Sequence, residues 1–182
     1  CLNDAASAQE ALTTVLRHIC ETEDWACGRY LRVDERAGVL RFAEAWSVAS
    51  EEPEHYIQES RSMVYGPGVG LVGRVWQSGQ PLWAPDISQD PRVARTALAR
   101  VTNMHGAFAV AVPSDGKTIG VFVFHSREIR EPDARLLQTM RVIGSQIGQF
   151  VQRKLSEQAT LRLGRMFAAL SETNDAILHA RS

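Results

Sequence analysis

The sequence predicts an α+β domain in which helices cover the faces of a mostly antiparallel sheet. Two pairs of β-rich runs are each joined by a short turn-forming segment, which favours hairpins over crossover connections. Helical periodicity before, between and after these pairs supplies the covering layers. The 182 residues, of which 45% are hydrophobic and 23% charged, suffice for one domain with a substantial core and an additional helix.

The N-terminal part contains a predicted helix, two strands and a second helix. The first helix covers residues 5–20, where apolar side chains recur with helical spacing. Strands are predicted over residues 25–33 and 39–46, and the polar segment between them ends in glycine, which suits a hairpin. Alternation in the second strand indicates a sheet with both faces partly covered. A polar helix is predicted over residues 51–62.

The central segment, residues 68–88, combines a glycine-bounded helix with a short strand. It begins with glycines, continues as an amphipathic helix, turns at Gly79 and ends in a strand that carries Trp83. Glycine permits the positive φ angles that a tight helix end requires. An Asp-Pro pair after this segment predicts a further helix over residues 91–101.

The C-terminal part contains a hairpin and a long helix. Strands are predicted over residues 107–113 and 118–125, and the Asp-Gly pair between them is a strong hairpin signal. The helix begins near Asp133, and its apolar residues alternate in steps of three and four, as a packing seam requires. These residues are Leu136, Met140, Ile143, Ile147 and Phe150.

Charge, hydropathy and cysteine content exclude several classes of function. The formal net charge of −1 gives no electrostatic basis for binding nucleic acid. No apolar run approaches the roughly 20 residues that span a bilayer, and the start lacks a secretory signal pattern. The cysteine usage leads us to expect a cytoplasmic location. The three cysteines lack the spacing of a disulfide framework or a zinc site. We expect no metal site.

Five segments in order resemble the recurrent pieces of the GAF domain. They are residues 67–75, 79–86, 107–113, 120–124 and 130–137. The resemblance covers about residues 8–154 and implies a GAF-like, PAS-related fold, with helices on both faces of a central antiparallel sheet and a long C-terminal helix. We therefore predict a GAF sensory domain over residues 1–154 and a helical linker over residues 155–182.

The resemblance also implies a function. GAF domains bind a small molecule or a partner, and helices on one face commonly mediate dimer contacts. Residues 163–177 are similar to the leader helix of multidomain bacterial proteins with GGDEF and EAL cyclic-di-GMP domains. The implied role is non-catalytic. A homodimer would relay the signal through its N- and C-terminal helices to a diguanylate cyclase, phosphodiesterase or histidine kinase.

A pocket is implied between the sheet and the segments around residues 60–106. Small-molecule sites usually present apolar walls with a few polar groups. The candidate lining residues are Met63, Tyr65, Val72, Trp76, Trp83, Met104, His105 and Phe108. The same side chains could instead close on one another as core.

The sequence does not assign a cofactor. A neutral imidazole at His105 could ligate haem iron or hydrogen-bond a tetrapyrrole. Bilin-binding relatives attach the chromophore through a cysteine beside such a histidine, and Met104 takes that place here. The Asn-Lys-Phe-Asp-Glu signature of one cyclic-nucleotide-binding subset cannot be assembled either.

Two alternatives to a ligand sensor stay open. The chain has no GxSxG, HExxH or Walker-type run, so a catalytic domain is not expected. Some relatives, however, reduce free methionine sulfoxide with cysteines near the pocket. A small redox enzyme of that type would have to use Cys20 or Cys27, which the sequence places in the first helix and the first strand. The other alternative is a dimerisation domain without a ligand.

Overall fold

The computed structural model confirms the α+β class. It describes residues 2–94 and 96–179, with side chains for residues 8–94, 97–154, 156, 157 and 159–166. The elements are α1 (Leu2–Thr22), β1 (Cys27–Asp34), β2 (Val39–Ser47), α2 (Glu51–Ser60), β3 (Val64–Tyr65), α3 (Gly70–Ser78), β4 (Leu82–Ala84), α4 (Thr96–Val101), β5 (Ala107–Ser114), β6 (Lys117–His125) and α5 (Ala134–His179).

Six antiparallel strands form one sheet in the order β3-β2-β1-β6-β5-β4. The first long strand and the last therefore lie side by side at the centre. Their register pairs Cys27 with His125 and Arg29 with Val123. Residues nearly a hundred positions apart in the sequence are thus brought into contact.

Two layers of helices cover the sheet, as predicted. On one face, α1 and α5 pack over a core that includes Tyr30, Phe122 and Phe124. On the other face, α2, α3 and α4 pack over a second core that includes Leu31 and Val123. Because side chains alternate along a strand, neighbouring residues of β6 belong to different cores.

The turns follow the predicted chemistry. Asp115 and Gly116 join β5 to β6 with φ angles of 48° and 76°, the left-handed pair that a tight hairpin requires. Gly79 ends α3 in the left-handed conformation, and its N–H donates to the carbonyl of Val75.

Helix α5 lies directly on strand β5. Asp133 caps its start, since its carboxylate accepts a hydrogen bond from the backbone N–H of Leu136 at 3.0 Å. Gly144 and Gly148 face the carbonyl oxygens of Ala111 and Pro113, where a side chain would find no room. These glycines therefore allow α5 to pack closely on the sheet.

The predicted linker is helical up to His179, and residues 180–182 lie outside the described part of the chain. Helix α5 runs without interruption through the predicted boundary at residue 154, and that boundary stays a prediction. Within residues 2–94 and 96–179, no helix combines the length and hydrophobicity needed to cross a bilayer.

The helix predicted over residues 91–101 is shorter than expected. Residues 91, 92 and 94 form turns, residue 95 lies outside the described part, and α4 begins only at Thr96. The cause is local, because the carboxylate of Asp90 accepts hydrogen bonds from the backbone N–H of Arg92 and from its guanidinium. Such side-chain bonds compete with helix formation.

Candidate functional site

A small cavity lies between the centre of the sheet and the layer formed by α2, α3 and α4. Its volume is about 40 Å³, which is room for roughly three water molecules or the head group of a small ligand. Most of its walls are apolar. They include Leu71 and Val72 of α3, Ile87 after β4, and Val123 of β6.

Three polar side chains contribute to the same cavity and contact one another. Arg29 of β1, Tyr56 of α2 and His125 of β6 are each at most 7% exposed, and we call them the Arg29 cluster. Tyr56 Oη lies 3.0 Å from His125 Nε2, and Arg29 Nη2 lies 3.4 Å from the same nitrogen. The guanidinium also lies over the Tyr56 ring, 5.0 Å from its centroid.

The Arg29 cluster holds a positive charge without a carboxylate. Among the residues whose side chains are described, no Asp or Glu forms an ion pair with Arg29. Within the same residues, Arg29 Nε and His125 Nδ1 are buried and have no hydrogen-bond partner. Buried polar atoms are nearly always paired in proteins, so two unpartnered atoms on side chains that line one cavity mark it as a candidate binding site.

His125 is neutral in this environment. Burial, followed by the positive charge of Arg29, lowers the pKa of His125 well below its usual value. Because a guanidinium can only donate, Nε2 is the acceptor and the proton sits on Nδ1. Burial raises the pKa of Tyr56, so its hydroxyl keeps its proton and donates it to Nε2.

We expect acidification to destabilise the domain through His125. The unfolded chain takes up the proton near pH 6.5 and the folded chain only at lower pH, so stability falls as the pH drops below about 6.5. His125→Gln should flatten this slope relative to the wild type by up to about 1.4 kcal/mol per pH unit in urea titrations. Equal slopes in the variant and the wild type would refute a neutral buried His125.

Five of the predicted lining residues lie on the cavity side of the sheet, but not all of them reach the cavity. Met63, Tyr65 and Val72 line it. Met104 is fully buried in the neighbouring core. Trp76 is half-buried at the edge of that core and lines a separate surface depression.

Trp83 and Phe108 lie on the opposite face of the sheet. Strand β4 pairs with β5 so that these two residues are direct neighbours, and both point toward α1 and α5. There Phe108 stacks on Trp83 at 5.2 Å and meets Trp25 edge-on at 4.7 Å. Because of this alternation, Trp76 and Trp83 cannot form one wall.

His105 belongs to a turn outside the cavity. Its Nδ1 lies 3.1 Å from the carboxylate of Asp86, and its Nε2 lies 3.3 Å from Asn103 Oδ1. Asp86 also accepts a hydrogen bond from the backbone N–H of Ser88 and so caps this turn. Burial raises the pKa of Asp86, but the bonds from Ser88 and His105 outweigh this effect and lower the pKa overall.

The Arg29 cluster is absent from the sequence-based prediction. A signal for Arg29 does exist, because it lies between Cys27 and Leu31 on an otherwise apolar face of β1. The alternation of Val121, Val123 and His125 carries the same signal in β6. The contact between Arg29 and His125, however, depends on the strand order of the sheet, which places β1 beside β6.

Cys20 and Cys27 are both buried, as expected for small hydrophobic residues. Burial raises the pKa of Cys27 to about 12, and burial followed by the charge of Cys27 also raises the pKa of Cys20. Since the thiolate is the reactive form, neither cysteine is suited to nucleophilic redox chemistry near neutral pH.

Several solved structures are similar to this chain. The GAF domain of a phosphoenolpyruvate-protein phosphotransferase from Coxiella burnetii is 16% identical, with 84% of this chain and 86% of that chain covered and a TM-score of 0.70. A free methionine-R-sulfoxide reductase from Neisseria meningitidis, in complex with its substrate, is 18% identical, with 86% of each chain covered and a TM-score of 0.61. Residues 122 to 287 of a methyl-accepting chemotaxis protein are 18% identical, with 81% and 90% covered and a TM-score of 0.62.

These identities establish a shared fold. No curated protein sequence was found to match the chain. The sequence model of the GAF domain, in contrast, matches residues 5–152, which is most of the chain. The match agrees with the sheet and the two helical layers described above, and the chain belongs to the GAF domain family.

Proposed function

We propose that this GAF domain is a sensory module that binds a small molecule in the cavity beside the Arg29 cluster and relays binding through α1 and α5 to an output domain. The observation that carries the proposal is the pair of buried, unpartnered donors at a partly apolar cavity. Similarity to a chemotaxis-protein domain supports a sensory role. The output is a diguanylate cyclase, a phosphodiesterase or a histidine kinase, and the domain itself is not catalytic.

A network around Arg130 provides a route from the cavity wall to the helices. The segment after β4, which includes Ile87, forms part of the cavity wall. Within β4, Trp83 Nε1 donates to the carbonyl of Arg130 at 2.6 Å, and at the start of the following segment the carbonyl of Pro85 accepts a hydrogen bond from Arg130 N at 3.2 Å. The Arg130 guanidinium donates to the carbonyl of Glu23 at 2.9 Å, just after α1. Movement of the wall would therefore reach the end of α1 and the segment that leads into α5.

The output domain would be controlled through a dimer formed by α1 and α5. The glycine face of α5 lies on the sheet, so its opposite face is available. Val142, Leu163 and Met166 are each at least 50% exposed. Leu163 lies three heptads after Val142, and Met166 lies three residues after Leu163. Core positions of a two-stranded coiled coil have this spacing. Two-fold dimers are the commonest oligomers.

We expect Leu163→Lys to convert the dimer to a monomer, because it places a charge in the proposed seam. Leu161→Lys is the matched control, since Leu161 is also 50% exposed but lies about 200° away around the helix. Light scattering after gel filtration gives the mass of each variant. A monomeric wild type, or equal masses for the two variants, would contradict the dimer.

The ligand role is tested by narrowing the cavity. Val121 and Val123 share a strand, a face and complete burial, but only Val123 lines the cavity. In a thermal-unfolding screen with small carboxylic acids, their amides and alcohols, we expect at least one compound to stabilise the wild type and Val121→Ile. Val123→Ile should lose this response.

Two outcomes of this screen would count against ligand binding in this cavity. If no compound stabilises the wild type, the ligand-free dimerisation domain is the better account. If Val123→Ile responds as strongly as Val121→Ile, binding takes place elsewhere. Each isoleucine adds one methylene to a packed core at a similar cost, so comparison of the two separates cavity loss from general strain.

A further inference from the structure

Arg29 carries a charge that the described part of the protein does not neutralise. Arg29 is 3% exposed, and its guanidinium stays protonated under all physiological conditions. Its neighbours Cys27, Tyr56 and His125 are all neutral, since burial raises the pKa of the first two and lowers that of the histidine. The cavity therefore faces one unopposed positive charge. An isolated buried charge is strongly unfavourable, and the Tyr56 ring offsets only part of that cost.

The unpartnered atoms fit a carboxylate. Arg29 Nε is a donor, and the neutral His125 carries its proton on Nδ1, so both orphans offer hydrogens and lack acceptors. A carboxylate supplies two acceptor oxygens and one negative charge. Charge-assisted bonds between guanidinium and carboxylate are among the strongest in proteins.

The volume and the apolar walls of the cavity limit the part of the ligand that lies beyond its carboxylate. The volume of about 40 Å³ excludes nucleotides and tetrapyrroles without rearrangement of the walls. Leu71, Val72 and Val123 offer apolar contact suited to a short aliphatic group. One positive charge matches one carboxylate, and a second carboxylate on the ligand would be left unpaired against an apolar wall.

From these observations we infer that the cavity takes a short-chain monocarboxylate of roughly two to four carbons, with its carboxylate on Arg29 and its alkyl group on Val72 and Val123. This inference rests on the proposed ligand-binding role. It goes beyond that role by assigning the charge of the ligand and the side chain that recognises it.

Calorimetric titration of the whole chain with propionate and propionamide tests the assignment. The two probes have nearly the same shape but differ in charge, and chloride keeps the ionic strength constant. Propionate should bind at least about tenfold more tightly than propionamide. Arg29→Met should lower the propionate affinity at least about tenfold, whereas Arg32→Met, at an exposed position of the same strand, should retain it.

Arg29→Met also removes the unpaired buried charge, so we expect it to fold with an unfolding midpoint no lower than that of the wild type. Should it fail to fold, Arg29→Lys keeps the charge but not the planar donors, and it should bind propionate more weakly than the wild type while still preferring it to propionamide.

Equal affinities of the wild type for the two probes, or unchanged propionate binding in Arg29→Met, would overturn the assignment. If a neutral compound binds and Val123→Ile blocks it while propionate does not bind, the carboxylate assignment fails but ligand sensing stands. If no compound binds, both fail together.

Discussion

Gly148→Ala is expected to lower the free energy of unfolding by about 3 kcal/mol, at the upper end of the usual cost of overpacking. A Cβ at this position would overlap the carbonyl oxygen of Pro113, and it would also lie 2.9 Å from the carbonyl carbon. Both groups belong to the backbone of β5, so no side chain can turn away. Helix α5 must then move off the sheet or the strand must bend.

Gly164→Ala provides the matched control in the same helix. A Cβ there meets nothing within 4 Å, so the change should stabilise α5 by up to about 1 kcal/mol through helix propensity. Urea denaturation monitored by circular dichroism measures both variants. If Gly148→Ala is as stable as the wild type, the close packing of α5 on β5 is wrong.

Phe108→Ala is expected to cost about 3–5 kcal/mol of stability, the usual range for a buried aromatic residue. Phe108 is fully buried at the centre of a cluster in which Trp83, Trp25 and Phe124 all contact its ring. Because this cluster lies under α1 and α5, the variant should bind a cavity ligand with unchanged affinity as long as it is folded.

Phe42→Ala serves as the comparison. Phe42 is half-buried on β2, under the guanidinium of Arg61 at 4.8 Å, and its truncation should cost clearly less. Chemical denaturation gives the stabilities, and titration below the unfolding transition gives the affinities. Loss of ligand affinity in folded Phe108→Ala would place this residue in the binding site after all.

Local patterns in the sequence predicted most of the fold. The Asp115-Gly116 turn, the helix ended by Gly79 and the start of the long helix near Asp133 each depend on a few adjacent residues, and all three occur as expected. The two-residue strand β3 was not predicted, because two residues carry no periodicity. At α4 the side-chain bonds of Asp90 competed with the helix that an Asp-Pro pair favours.

The candidate site was harder to predict because it depends on which strands are neighbours. Sequence order alone does not place β1 beside β6, so it does not bring Arg29 to His125. The resemblance to GAF domains located the pocket region but not the direction of each side chain. Trp83 lies within that region of the sequence, yet the alternation of β4 turns it to the other face.

Methionine-methyl NMR tests the central claim most directly, because the four methionines report on different parts of the molecule. Met63 lines the cavity, Met140 is buried under α5, and Met166 is exposed far along that helix. With propionate, we predict a saturable shift of the Met63 methyl signal in the wild type and no such shift in Arg29→Met. A Met63 signal that stays unchanged at saturating propionate, or one that shifts equally in Arg29→Met, would contradict binding beside the Arg29 cluster.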